Sequence, residues 1–215
     1  PTYREFYEGR HFRAASSSDP KTISIDGDEI PFCTDLVFQW HDALIGIEIC
    51  EELWTPVQPT SHAALAGANV LLNLSASNEL IGKAAWRRDL VRSQSGRCIA
   101  AYAYASSGPG ESSSDLVFGG HCLIAENGGI LGQSRRVGDG REPTHVDETS
   151  VTCDVDLQRL AHDRRVIGSF DDARNDSHQQ FRTVSANPST TDHRAPRATR
   201  SPLKRRVDAH PFVPD

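Results

Sequence analysis

The stretch that decides the fold is residues 43–56, ALIGIEICEELWTP. Its first half is apolar and rich in β-branched residues, which is typical of a buried strand. A cysteine, two acidic residues and a bulky turn follow at once. Nucleophiles often lie at such strand ends, in a sharp turn that exposes the side chain above the sheet. Cys50 is therefore a candidate nucleophile, and a small buried hydrophobic residue is the alternative interpretation.

Alternating apolar segments surround this stretch. The pattern predicts helices at 59–67 and 83–97 and strands at 36–40, 43–49, 69–74, 99–105, 119–125, 129–133 and 151–155. The Asn127-Gly128 dipeptide is the strongest short hairpin signal. On the second helix, Trp86, Leu90 and Val91 are predicted to share one face. Strands that alternate with helices and end in a hairpin predict an α/β layered fold.

Composition narrows the class of protein. The 215 residues, 37% of them hydrophobic, fit one domain with a polar extension, and no apolar run approaches the ~20 residues of a membrane span. The five cysteines form no CxxC pair and the histidines form no metal-binding quartet, so we expect a cytoplasmic location and no metal site. The chain has no Met and begins at Pro1, which indicates an internal piece of a longer protein.

The carboxyl-terminal stretch is basic. Residues 182–206 carry a net charge of +6 in a chain whose total is −6. Because this stretch is rich in Ser, Thr, Pro and Ala, it cannot bury enough apolar surface to offset its ordering entropy. We therefore expect a flexible linker over residues 171–215. A nucleic-acid-binding arm is the alternative, which the absence of interleaved aromatic residues disfavours.

A series of short motifs follows in order along the chain. They are PTYREFYE at 1–8, CEELW at 50–54, LAGA at 65–68, NLSASNE at 73–79, AYAYA at 101–105 and AENG at 125–128. Together they resemble the carbon–nitrogen hydrolase (nitrilase) superfamily, and within it the glutamine-hydrolysing domains of glutamine-dependent NAD synthetases. The resemblance covers residues 1–170 and implies an α/β fold, a nitrilase-like αββα sandwich that is incomplete because N-terminal strands are missing.

The resemblance also implies a Glu–Lys–Cys triad. In that family the cysteine attacks the side-chain amide of glutamine, forms a thioester and releases ammonia. Cys50 matches the nucleophile, and Glu5 matches a second glutamate that positions substrate and lysine; an exposed surface acid is the alternative for Glu5. The triad lysine and glutamate would precede Pro1, so the chain alone is expected to be inactive.

Four further residues match glutamine-binding positions of the family: Tyr3, Glu51, Ser77 and Lys83. The backbone N–H of Glu51 would also be an oxyanion donor. Simple packing for Tyr3, a loop cap for Ser77 and a helix start for Lys83 are the alternatives. Some relatives carry arginine in place of Lys83; lysine keeps the charge but loses the bidentate contact with a carboxylate.

Partners and cofactors follow from the same resemblance. No GxxxxGK[ST] loop occurs, so no cofactor is expected in this chain. ATP and Mg would bind a synthetase domain of the same polypeptide, which would use the ammonia to convert nicotinic acid adenine dinucleotide to NAD. L-Glutamine, that synthetase domain and further copies of the chain in a homo-oligomer are the expected partners. A stand-alone amidase or nitrilase, and a non-catalytic interaction module with a basic tail, are the alternative functions.

Overall fold

A computed structural model describes residues 2–3, 6–7, 11–111, 116–137, 139–140, 150–186 and 203–205. Its strands are β1 Thr2–Tyr3, β2 Phe6–Tyr7, β3 Thr22–Ile25, β4 Asp28–Pro31, β5 Leu36–Trp40, β6 Ala43–Ile49, β7 Val70–Ser75, β8 Ala101–Ser106, β9 Leu123–Glu126, β10 Gly129–Gln133 and β11 Arg182–Ser185. Its helices are α1 Pro59–Leu65, α2 Lys83–Cys98, α3 Leu157–Val166 and α4 Gly168–Asn175. A 3₁₀ helix, Cys50–Trp54, follows β6 directly.

Seven strands form one mixed sheet in the order β10-β9-β8-β7-β6-β5-β11. The central strands β6, β7 and β8 are parallel, while β5 and β9 flank them in antiparallel pairing. Because parallel strands end at the same edge of a sheet, the residues that follow β6 and β7 lie side by side. The hairpins β1–β2 and β3–β4 form two separate small sheets.

The two faces of the sheet differ. Leu71, Tyr102 and Tyr104 are almost wholly buried in the core that the sheet forms with α1 and α2. A Cβ on Gly46 would lie 2.8 Å from the Cβ of Ala63, so glycine lets α1 pack directly on β6. On the other face, α3 packs near the amino end of β8, where Leu160 joins a second apolar cluster. Ile47, Ile49 and Leu74 alternate with the buried residues and stay about half exposed.

Most predicted elements are confirmed, and two expectations are wrong. Residues 151–155 form no strand. On α2, Trp86 is 55% exposed, and Arg87 is completely buried beside Val91. The apolar spacing misplaced this face because α2 also covers the polar loop after β7, where Arg87 has charged and hydroxyl partners. No helix among the described ranges is long and apolar enough to cross a membrane.

Parts of residues 171–215, for which the sequence predicts a flexible linker, form regular secondary structure where the structure describes them. Residues 171–175 complete α4, and β11 pairs in parallel with residues 36–39 of β5. The Arg182 guanidinium also donates to the Lys21 carbonyl, and the Arg205 guanidinium bonds the Glu126 carboxylate. Composition does not predict β11, because its backbone partners are supplied by the edge of β5. Residues 187–202 and 206–215 lie outside the described residues, and a domain boundary at 170/171 stays a prediction.

Candidate active site

Cys50 lies where β6 gives way to the 3₁₀ helix, and its backbone φ is 50°. Residues other than glycine adopt such positive φ values rarely, and often at functional sites. The turn is anchored on both sides: Leu53 is fully buried, and the Glu52 carboxylate accepts the Ile49 N–H at 2.7 Å. The thiol is partly exposed. This is the sharp strand-end turn that the sequence predicts.

Two hydroxyl groups form a chain of hydrogen bonds that ends at the Cys50 thiol. The Ser75 hydroxyl, at the end of β7, donates to Cys50 Sγ at 3.5 Å. Tyr104 of β8 donates in turn to Ser75 Oγ at 2.6 Å. Burial raises the pKa of Tyr104, so its phenol keeps its proton at neutral pH. The three adjacent parallel strands thus bring these side chains into one row at their carboxyl ends.

A buried carboxylate lies beneath the same turn. Glu48, two residues before Cys50, is 1% exposed. It accepts hydrogen bonds from the backbone N–H (3.2 Å) and hydroxyl (2.7 Å) of Thr60, from the Asn73 amide (3.3 Å) and from the Tyr102 phenol. Burial and the nearby carboxylate of Glu48 raise the pKa of Tyr102 well above its usual value, which keeps this donor protonated. Asn73 also donates to the Cys50 carbonyl at 3.2 Å, so it ties the turn to the carboxylate.

A buried guanidinium organises the loop after β7. Arg87 of α2 donates to Glu79 Oε1 at 2.9 Å and to Ser77 Oγ at 3.4 Å, and it contacts His121 Nδ1 at 2.9 Å. Burial and the charge of Arg87 lower the pKa of His121 to about 4, so this imidazole is neutral at neutral pH. An arginine can only donate, so Nδ1 accepts and the proton of neutral His121 resides on Nε2. Arg87 therefore fixes the positions of Ser77 and Glu79 through hydrogen bonds from its buried side chain.

Lys83 begins α2 beside this loop. Its ammonium group donates to Asn78 Oδ1 at 2.5 Å and lies 5.6 Å from the ring centre of Trp54, in the 3₁₀ helix that starts at Cys50. The structure therefore places a positive charge between the Cys50 turn and the loop that carries Ser77. Lys83 is more than a helix start, because its ammonium joins these two segments.

The structure gathers four of the six predicted site residues at one edge of the sheet: Cys50, Glu51, Ser77 and Lys83. Glu51 follows Cys50 in the 3₁₀ helix, and Ser77 is buried against Arg87. Glu5 and the side chain of Tyr3 lie outside the described residues. Within the described ranges, no three His, Cys, Asp or Glu side chains are grouped to hold a metal ion.

Sequence reasoning missed most of the supporting polar residues, namely Glu48, Asn73, Ser75, Arg87, Tyr104 and His121. A signal for some of them was present. Glu48 and Cys50, and likewise Asn73 and Ser75, occupy alternate positions along apolar strands, and alternate positions share one face of a sheet. A polar residue on the buried face of a strand requires a partner, which marks it as part of a network.

Comparison with known proteins agrees with this geometry. Residues 5–165 match the carbon–nitrogen hydrolase family, so the chain belongs to that family. The prediction of a nitrilase-like α/β fold is confirmed: a carbon–nitrogen hydrolase from Helicobacter pylori G27 superposes with a TM-score of 0.55 over 82% of this chain and 56% of that chain. Its 17% sequence identity bears on the fold alone.

Within the family, the chain is similar to glutamine-dependent NAD⁺ synthetases. It is 41% identical to the glutamine-dependent NAD⁺ synthetase of Mycobacterium tuberculosis H37Rv over 217 aligned residues, which cover 100% of this chain and 30% of the relative. The crystal structure of a glutamine-dependent NAD⁺ synthetase from Cytophaga hutchinsonii has a TM-score of 0.51 at 33% identity, over 60% of this chain and 20% of that one. The resemblance predicted from the motifs is confirmed, and the chain spans about 30% of the mycobacterial relative.

Proposed function

We propose that this chain is the glutamine-hydrolysing part of a glutamine-dependent NAD⁺ synthetase, with Cys50 as the nucleophile. One observation carries the proposal: a partly exposed cysteine with φ of 50° at the carboxyl edge of three parallel strands, in a carbon–nitrogen hydrolase. The choice of glutamine as the amide rests on the similarity to proteins named glutamine-dependent NAD⁺ synthetases. Ammonia is the product that an amidating enzyme would use.

The proposed reaction has two steps. Cys50 Sγ attacks the carbonyl carbon of the glutamine side chain, the carbon–nitrogen bond breaks, and ammonia leaves with the proton that the thiol gave up. Water then attacks the thioester, the carbon–sulfur bond breaks, and glutamate leaves while the thiol regains a proton. Glutamine and water thus become glutamate and ammonia. Inactivity of the chain alone stays a prediction.

Substrate contacts are proposed from charge and position. The Lys83 ammonium would meet the α-carboxylate of glutamine, because it is held at the edge of the site by Asn78 and Trp54. The Glu51 carboxylate would meet the α-ammonium group, and Ser77 Oγ would accept a hydrogen bond from the same end of the substrate. Glu5 and Tyr3 are proposed to position substrate on the motif match alone.

The remaining parts of the proposal concern the whole protein. A synthetase domain of the same polypeptide would bind ATP and Mg²⁺ and transfer the ammonia to nicotinic acid adenine dinucleotide. We expect the protein to act in the cytoplasm as a homo-oligomer. These statements rest on the motif resemblance and on the naming of the relatives.

Glutamate release from L-glutamine by the complete natural gene product tests the proposal. Cys50→Ala is expected to lower the rate by at least ~10³-fold because the nucleophile is lost. NAD⁺ formation from supplied ammonium should persist in this variant. Cys153→Ala is the matched control, since Cys153 lies against Gly132 in the edge strand β10 and should leave glutamate release unchanged. Equal glutamate release by Cys50→Ala and the unmodified protein would remove Cys50 as the nucleophile.

A further inference from the structure

A continuous row of polar contacts connects a buried guanidinium with the Cys50 thiol. Arg87 Nη2 is 3.4 Å from Ser77 Oγ, and the Ser77 hydroxyl acts on the Tyr104 phenol, whose pKa it lowers against the larger effect of burial. Tyr104 contacts Ser75 Oγ at 2.6 Å, and Ser75 contacts Cys50 Sγ at 3.5 Å. Arg87 is completely buried, and Tyr104 is 1% exposed. We call Ser77, Tyr104 and Ser75 the hydroxyl relay.

The direction of the hydrogen bonds in the hydroxyl relay is determined at its buried end. A guanidinium has donors and no acceptor, so Ser77 Oγ must accept from Arg87 and can give its own hydrogen to the Tyr104 oxygen. Tyr104, whose burial keeps it protonated, then donates to Ser75. The single hydrogen of the Ser75 hydroxyl is left for Cys50 Sγ. Every donor in the row therefore points toward the sulfur.

Charged side chains surround Cys50, so hydrogen-bond donors that point at its sulfur affect the charge that the sulfur can carry. Glu51 and Glu52 follow the cysteine in the 3₁₀ helix, and Glu48 lies buried two residues before it. Lys83 and Arg87 of α2 bring positive charge to the same neighbourhood, beside Trp54 and Ser77 respectively. A hydrogen bond to an anionic acceptor is stronger than one to a neutral acceptor, and linked bonds reinforce one another.

We propose that the hydroxyl relay stabilises the thiolate form of Cys50, and that Ser75 and Tyr104 are positioning residues for this sulfur. Ser75 acts on the sulfur directly, and Tyr104 acts through Ser75. The inference rests on the proposed role of Cys50 as nucleophile and deepens it, because attack on an amide requires the thiolate.

The pH dependence of Cys50 alkylation tests the hydroxyl relay. Iodoacetamide labelling of the complete protein is followed from pH 6 to pH 10 by mass spectrometry of the peptide that contains Cys50. Ser75→Ala is expected to move the midpoint of the profile upward and to lower the rate at pH 7 about fivefold to tenfold. Tyr104→Phe should lower it about threefold, because Ser75 keeps its hydroxyl but loses the partner that orients it.

The matched control is Ser107→Ala. The Ser107 hydroxyl donates to the Ser75 carbonyl at 3.4 Å, so it lies close to the hydroxyl relay without belonging to it. Its profile should coincide with that of the unmodified protein. Toward the alkaline end of the range, the rates of all variants should approach one another, because the thiolate fraction rises in each. A change in access to the sulfur would instead lower the rate at every pH.

Three results would overturn the inference: unshifted profiles for both Ser75→Ala and Tyr104→Phe, an equal shift for Ser107→Ala, or a loss of rate that is independent of pH. Circular dichroism checks that each variant is folded, and if Ser75→Ala is not, Tyr104→Phe alone decides. Alkylation requires no glutamine. The hydroxyl relay can therefore fail while Cys50 still supports glutamate release, and it can stand if glutamine proves not to be the substrate.

Discussion

Strand β6 and helix α2 both have a cysteine and a positive φ at their carboxyl ends. Cys50 directly follows β6 and has a φ of 50°, whereas Cys98 is the last residue of α2 and precedes Ile99, whose φ is 45°. The two thiols nevertheless have opposite surroundings. Cys50 is partly exposed and accepts a hydrogen bond from Ser75. Cys98 is 4% exposed in the apolar core, and burial raises its pKa to about 11. Neighbouring groups, rather than the local turn, decide whether a cysteine is suited to react.

A charged side chain also lies at each of these ends, a buried carboxylate at the first and a half-buried guanidinium of α3 at the second. At β6 the Glu48 carboxylate accepts from neutral donors, one of which, Asn73, also holds the Cys50 carbonyl. At α2 the Arg164 guanidinium, whose pKa burial lowers to about 10, closes the ends of two helices. It donates to the carbonyls of Gly67, Ala68, Cys98 and Ile99. The carboxylate thus supports the Cys50 turn through Asn73, whereas the guanidinium caps the ends of two helices.

The largest expected effect is a difference in alkylation between the two thiols. At pH 8 a pKa of about 11 leaves roughly one Cys98 in a thousand as thiolate. We therefore expect iodoacetamide to label Cys50 at least ~10²-fold faster than Cys98 in the native protein, measured by mass spectrometry of the two peptides. Labelling in denaturant, where both thiols are solvated, is the control and should proceed at similar rates. Similar labelling rates for Cys50 and Cys98 in the native protein would contradict the difference described between their surroundings.

Arg164→Met is expected to lower the free energy of unfolding by about 3–4 kcal/mol. Four backbone carbonyls lose their charged donor, and each poorly satisfied buried acceptor costs about 1–3 kcal/mol before water offsets part of the loss. Urea denaturation measures the change. Arg165→Met removes an exposed neighbouring charge and should change stability by less than ~0.5 kcal/mol. The rate of Cys50 alkylation in Arg164→Met should stay within about twofold of that in the unmodified protein, because Arg164 bonds the ends of α1 and α2 and not the Cys50 turn.

Acidification should weaken the region around Cys50 through His121. The pKa of His121 is lowered to about 4 in the folded protein, against about 6.5 when unfolded, so the unfolded chain binds the proton first. Stability is therefore lost as the pH falls from about 6.5 toward 4, by roughly 2–3 kcal/mol from this residue. Urea denaturation at several pH values in this range gives the free energy of unfolding as a function of pH. This free energy should fall less steeply on acidification for His121→Gln than for the unmodified protein. His162→Gln, at an exposed position of α3, should keep the original slope.

The smallest expected effect comes from Glu48→Gln, about 1–2 kcal/mol in the free energy of unfolding. The side-chain amide group would turn N–H donors toward some of the donors that now face the carboxylate, such as Thr60 and Tyr102. Urea denaturation measures this change. Because Asn73 connects Glu48 with the Cys50 carbonyl, alkylation of Cys50 should also change severalfold. Glu29→Gln, on an exposed strand, serves as the control, and equal effects of the two substitutions would contradict a role for Glu48 beneath the turn.

The strands and helices near the site were predictable because their signals are local. Short apolar runs rich in β-branched residues identified β5 and β6, and the Asn127-Gly128 dipeptide identified the hairpin of β9 and β10. The Asp26-Gly27 dipeptide is an equally strong signal for the hairpin of β3 and β4, where φ reaches 52° and 91°, and sequence reasoning overlooked it. The order found for residues 182–185 was not predictable, because it depends on an edge of β5 that lies about 145 residues earlier in the chain.

The supporting network of the site was also beyond local patterns. Ser75 contacts Cys50 across 25 residues, Tyr104 contacts Ser75 across 29, and Arg87 contacts His121 across 34. Such pairs are brought together by strand order and register, which no window of the sequence contains. The buried face of α2 was misassigned for the same reason, since only the packed sheet shows that Arg87 meets Glu79.

The amino-acid sequence by itself determined the layered α/β class, the turn that presents Cys50 and the membership suggested by the ordered motifs, because each depends on neighbours within a few residues. Tertiary structure alone decided which polar side chains are hydrogen-bonded near Cys50 and that Cys98 is the thiol buried in the core. The reason is physical: a thiol's reactivity depends on charge, hydrogen bonding and solvent within a few ångströms, and those neighbours come from strands and helices that are distant along the chain.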